Sequence, residues 1–147
     1  MMRRNAERMQ YQPDKLSSFL CVLSIIFNMV YFVSIYRDNA VAPDVTIGAD
    51  ILINIILMMI VFLGSEKLKA YSKKWSIYIL LLGAAQILRI FWVPGHFKQL
   101  EMLVEVKYTL AVIWLLVSGI FLLFAGINSS INIRILSGSD DKNRVGE

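Results

Sequence analysis

"WSIYILLLGAAQILRIFWV", residues 75–93, decides how this chain is read. It is almost pure hydrocarbon, with Gln86 and Arg89 as the interruptions. Its length is close to the roughly 20 residues with which a helix crosses a hydrocarbon core of about 30 Å. An arginine at mid-span costs at most about 3 kcal/mol on insertion scales. The Leu, Ile, Phe and Val side chains around it together contribute roughly −3 to −6 kcal/mol. The stretch therefore reads as a transmembrane helix in spite of its charge.

Three similar stretches flank it: 16–36 "LSSFLCVLSIIFNMVYFVSIY", about 45–64 "VTIGADILINIILMMIVFLG", and about 108–127 "YTLAVIWLLVSGIFLLFAGI". The 147-residue chain is 57% hydrophobic and only 18% charged, outside the range of soluble domains. Backbone groups in lipid must be satisfied within the segment, so these stretches are helices. Tyr36, Trp75, Trp92 and Tyr108 fall at segment ends, where amphipathic rings favour the interface. The expected fold is an all-α integral membrane protein, a four-transmembrane-helix bundle.

Orientation follows from the flanking cations. Arg3, Arg4, Arg8 and Lys15, then Lys67, Lys69, Lys73 and Lys74, then Arg134, Lys142 and Arg144 lie on one side. Arg37, Lys98 and Lys107 lie on the other, so both termini are expected in the cytoplasm. Segment 1 is long and lacks a small-residue cleavage site, which argues against a removed signal peptide. Residues 1–136 form one transmembrane domain, and 137–147 "SGSDDKNRVGE" is expected as a polar, disordered cytoplasmic tail. The sequon Asn128-Ser129-Ser130 then falls on the cytoplasmic side, an accident of composition.

The topology bears on Arg89. Segment 3 is expected to stop at Val93, before Pro94-Gly95. Arg89 is then about four residues, or roughly 6 Å, below the outer edge, within reach of the headgroups. Segment 2 starts near Asp44, so Asp50 lies at a similar depth, roughly 8 Å down. The short 65–74 connector makes segments 2 and 3 antiparallel neighbours. Asp50 and Arg89 can therefore pair, snorkel separately, or form a ligand site. Asn54 is one turn from Asp50, Gln86 is on the face of Arg89, and Asn28 reaches the same slab from segment 1. The candidate polar cluster is thus Asn28, Asp50, Asn54, Gln86 and Arg89. Interhelical hydrogen bonds explain it structurally, and a pocket open to the outside is the functional alternative.

Segment 1 carries Ser17, Cys21, Ser24, Asn28 and Tyr31 at steps of four and three, a seam of mostly small or polar groups. Segment 4 carries Ala111, Ser118 and Ala125 at heptad spacing, with Gly119 and Gly126 beside them. Such seams admit a close helix, either from this chain or from a partner. No GxxxG occurs. Residues 97–108 read as an interfacial helix or an extension of segment 4, and 131–136 "INIRIL" as an inner-surface or docking element. The basic 65–74 loop sets topology or attracts anionic lipid.

Several chemistries are excluded by inventory. A lone cysteine, Cys21, makes no internal disulfide, and one histidine, His96, with no ligand cluster leaves no recognisable metal or nucleotide motif. No cofactor and no nucleic acid are expected. Small multidrug exporters are similar in length and helix count only, since segment 1 has no Asp or Glu to match their first-helix carboxylate. The expectation is a non-catalytic accessory or stabilising subunit of a larger membrane complex, such as a transporter. Its partners would be membrane lipid, other membrane subunits and possible further copies of itself. The second class is an autonomous oligomeric transporter or channel using the outer slab. An enzyme would need a nucleophile, base or metal set that the sequence does not offer. A bacterial-type plasma membrane is the default location.

Overall fold

A computed structural model describes residues 14–36, 45–99 and 105–144, with side chains described except at 35, 36, 46, 47, 93–99, 105–107 and 139–144. All of the regular structure described is helical: α1 Lys15–Tyr36, α2 Val45–Lys69, α3 Lys73–Gln99 and α4 Glu105–Arg144. Each contains a stretch long and apolar enough to cross a membrane: Lys15–Ser34, Gly48–Lys69, Lys73–Trp92 and Tyr108–Gly138. Large apolar side chains lie exposed on all four helices, among them Phe19, Met59, Leu88 and Phe124. Water would penalise such a surface and lipid does not. The chain is a multi-pass membrane protein by composition and by the placement of its side chains.

The helices follow one another around the bundle, and α4 closes the ring against α1. The α3–α4 interface is the most extensive, and the reason is glycine. A Cβ on Gly119 would come within 2.6 Å of Ile87 Cγ1 and 3.2 Å of the Gly83 carbonyl, so the two backbones approach more closely than any larger residue permits. The α2–α3 interface is the thinnest, although a tight turn joins these helices. Near that turn they pack closely, with Gly64 against Ile79. The apolar core gathers in the same half of the bundle: Cys21, Val61, Leu68, Ile79, Leu122 and Ala125. This half, bounded by Asp14 and residues 70–72, is called proximal below, and the opposite half distal.

Local chemistry sets the proximal ends. Asp14 caps α1, its carboxylate accepting the Ser17 N–H at 3.1 Å and the Ser17 hydroxyl at 2.7 Å. The same carboxylate accepts Asn132 Nδ2 at 3.2 Å, and the Asp14 N–H donates to the Lys69 carbonyl at 3.4 Å. One residue thereby joins α1, α2 and α4. At the end of α2, Ser72 N–H reaches the Lys67 carbonyl and Tyr71 N–H the Leu68 carbonyl, the paired bonds of a Schellman cap. Tyr71 holds the left-handed position at φ 52°, which ordinarily costs a non-glycine residue about 1 kcal/mol. Burial raises the Tyr71 phenol above its usual pKa, with the nearby Asp14 charge adding to the effect.

The boundaries differ from the sequence reading in three places. The helix α2 continues to Lys69, so much of the 65–74 connector is helical and only 70–72 turn. The expected stop before Pro94 is corrected, because α3 runs through it to Gln99. Proline removes one backbone bond, to the carbonyl four residues back, and a long membrane helix retains enough others to continue. Finally, α4 includes 105–108 and 131–136 and runs on through 137–144, the stretch read from composition as a tail. Adding residues to an existing helix requires no new nucleus, so polar residues can prolong it. Residues 37–44, with Arg37 and Asp44, residues 100–104 and 145–147, and the N-terminal arm before Asp14 lie outside the described residues.

Candidate functional site

The distal half holds the only charged pair that the described residues bury between helices. Arg89 Nη2 on α3 forms an ion pair with Asp50 Oδ1 on α2, and Arg89 Nη1 donates to Asn54 Oδ1 at 2.7 Å. Asp50 and Asn54 are one helical turn apart, so a single guanidinium fork reaches both. The Arg89 side chain is 9% exposed and that of Asp50 is 3% exposed. Arg89 thus turns into the bundle, and its charge is matched there. From α1, the Tyr31 ring lies 5.4 Å from the guanidinium carbon, a cation–π distance. The Tyr31 hydroxyl is beside Asp50.

One turn further in, Gln86 Nε2 donates to Asn28 Oδ1 at 3.0 Å, linking α3 to α1. The structure therefore brings together all five residues of the candidate cluster, Asn28, Asp50, Asn54, Gln86 and Arg89, and adds Tyr31. Asn28 Nδ2, Asn54 Nδ2, Gln86 Oε1 and Arg89 Nε are buried with no hydrogen-bond partner among the described residues. Polar groups in so dry a setting ordinarily find partners, which marks the cluster as chemically incomplete.

The small-residue seams find their partners within the chain. Ser24 and Ser118 face each other across α1 and α4, with hydroxyl oxygens 2.8 Å apart and each also near the other's backbone carbonyl. Ser17 accepts Asn128 Nδ2 at 2.9 Å, so the sequon asparagine is engaged in helix packing. Cys21 and Ala125 belong to the core, Ala111 is fully buried, and Gly126 lies against Leu80 of α3. These residues hold the bundle itself together and present nothing to a foreign helix.

Sequence reasoning missed Asp14, Ser76, Asn132 and Gly83. Asp14 carried a usable signal, since it is a capping type of residue that follows Pro13, as Asp44 follows Pro43. Ser76 donates to the Gly126 carbonyl or shares a proton with Ser130, 2.7 Å away, and no spacing rule pairs those positions. Among the described residues no group of three His, Cys, Asp or Glu could hold a metal ion. Compared with protein-family models, with curated proteins and with solved structures, the chain matches none.

Proposed function

We propose that this chain is a non-catalytic accessory or stabilising subunit of a larger membrane complex, such as a transporter. The observation that carries the reading is the division of its side chains. The seam residues of α1 and α4 are engaged inside the bundle, while the perimeter offers large apolar side chains on every helix. Such a perimeter suits lipid or the flank of another helical membrane protein, where van der Waals packing drives association. With the small residues of α1 and α4 engaged within the chain, contact runs through outward faces such as Ile26, Met29 and Val33 of α1. The cations of the flanks support a topology with both termini in the cytoplasm.

Purification in mild detergent tests the reading. An accessory subunit co-purifies with other membrane proteins at fixed stoichiometry, whereas isolation alone as a homo-oligomer refutes it. The second reading, an autonomous transporter or channel, is favoured by the unpaired atoms around Arg89. It predicts that the purified chain moves an ion or solute across liposomes and loses that activity on Asn54→Leu.

A further inference from the structure

The unpaired atoms of the distal cluster are unequal in kind. Three are nitrogen donors, on Asn28, Asn54 and Arg89, one is an oxygen acceptor, on Gln86, and the fifth is the Tyr31 hydroxyl. The imbalance survives any choice of amide orientation between Asn28 and Gln86. Their one bond uses an N–H and a carbonyl, so flipping both amides exchanges the free ends without changing their number. Asn54 has no such freedom: guanidinium only donates, so Asn54 turns its oxygen to Arg89 and leaves its NH2 free. The Tyr31 hydroxyl can donate or accept and leaves the balance as it is.

These donors share a level. Asn54 and Gln86 each lie about one turn proximal to the Asp50–Arg89 pair, and Asn28 is bonded to Gln86. One turn distal from the Ser24–Ser118 contact, α4 carries Leu115, fully buried and apolar. Three amides from three helices therefore stand under a guanidinium, with hydrocarbon on the fourth side. Water brings a proton for every lone pair and would leave the donor surplus in place. A cation would meet mostly N–H. An anion brings acceptors alone.

We propose that this ring of amides beneath Arg89 binds a halide-sized monovalent anion, taken up together with a proton. The anion accepts N–H from Asn28, Asn54 and Arg89 Nε. The proton adds from solution to a carboxylate oxygen of Asp50, so the net charge of the cluster is the same before and after. That neutrality matters because the span tolerates little uncompensated charge. The groups facing Asp50 are Tyr31 from α1 and Arg89 from α3, with Asn54 on its own helix. Leu115 and Ala111 of α4 do not titrate.

Bromide is the probe, and Trp114 the reporter. Trp114 stacks on Phe27, which adjoins Asn28, with ring centroids 5.6 Å apart. In a full-length Trp75→Phe/Trp92→Phe chain, bromide quenching of Trp114 is expected to saturate. The half-saturating concentration should rise with pH, the signature of a linked proton. Asp50→Asn imitates the protonated carboxyl, so it binds bromide equally well at pH 5 and pH 8 and is thermally stabilised by it. Asn54→Leu loses saturation while keeping its helical circular dichroism. Quenching that climbs linearly in both the parent and Asp50→Asn overturns the proposal, as does saturation with no pH dependence in the parent.

Discussion

Removing one member of the Asp50–Arg89 pair strands the other in a nearly dry site. Asp50→Asn keeps an oxygen that Arg89 can reach but leaves its positive charge unmatched, apart from the Tyr31 ring. Arg89→Gln leaves the Asp50 charge without its cation and also withdraws the donor to Asn54. Breaking a buried pair in this way costs about 3–5 kcal/mol. The double variant carries no charge, and its two amides can bond to each other. Its cost should be no larger than that of either single change, so the coupling energy is about 3 kcal/mol or more. Unfolding free energies for the four proteins in mixed micelles measure it, without added halide. Additivity within about 0.5 kcal/mol would refute the reasoning, since residues that do not interact simply add. Arg89 would then have to be stabilised by reaching the headgroups on its own.

Three other perturbations test separate parts of the bundle. Asp14→Ala removes a helix cap and a link to Asn132, and should cost about 1–2 kcal/mol in the same assay, whereas Asp14→Asn should cost clearly less. Gly119→Leu has no room beside Ile87 and should lower stability by about 3 kcal/mol or abolish folding, while a wild-type melting profile would contradict the packing described. Cysteines placed at Asp44 or Lys98, in a Cys21→Ser background, should react with an impermeant thiol reagent in sealed cells. Those at Lys69 or Lys142 should react only after the membrane is opened, and labelling of Lys69→Cys in sealed cells would reverse the topology.

The four helices are legible in the sequence because the solvent that selects them is simple. A run of apolar residues of the right length has no alternative to helix in lipid. Their ends are less legible, and Pro94 shows why: a proline removes one backbone bond, and a helix already formed up to it can continue past. Asp50, Asn54, Gln86 and Arg89 could be brought together from depth alone, since the rise of 1.5 Å per residue converts position in the chain into level in the membrane. Depth does not give azimuth. Nothing in the spacing of Ser24 and Ser118 says that they face each other, or that Gly119 meets Gly83 and Ile87. Those pairings depend on how each helix is rotated, which the whole packed bundle decides together.

The distribution of satisfied and unsatisfied groups separates structure from function more sharply than their positions do. A polar seam kept for a partner would stand half-satisfied in the isolated chain. At the proximal end Asp14, Ser17, Asn128 and Asn132 bond to one another and Ser76 bonds Ser130 or Gly126, and at mid-bundle Ser24 bonds Ser118. A foreign helix would have little to add there, and the Ser129 hydroxyl, buried without a partner, is the exception among these α4 positions. The distal cluster reverses the pattern, with its charges matched and its amides left over. It also lies where α2 and α3, joined by a tight turn at the proximal end, make the thinnest interface in the ring. Stability therefore resides in the proximal core and the α3–α4 seam, while the distal half carries unmet hydrogen-bonding capacity. A site that takes up a ligand needs that capacity, and a helix bundle built only to persist does not.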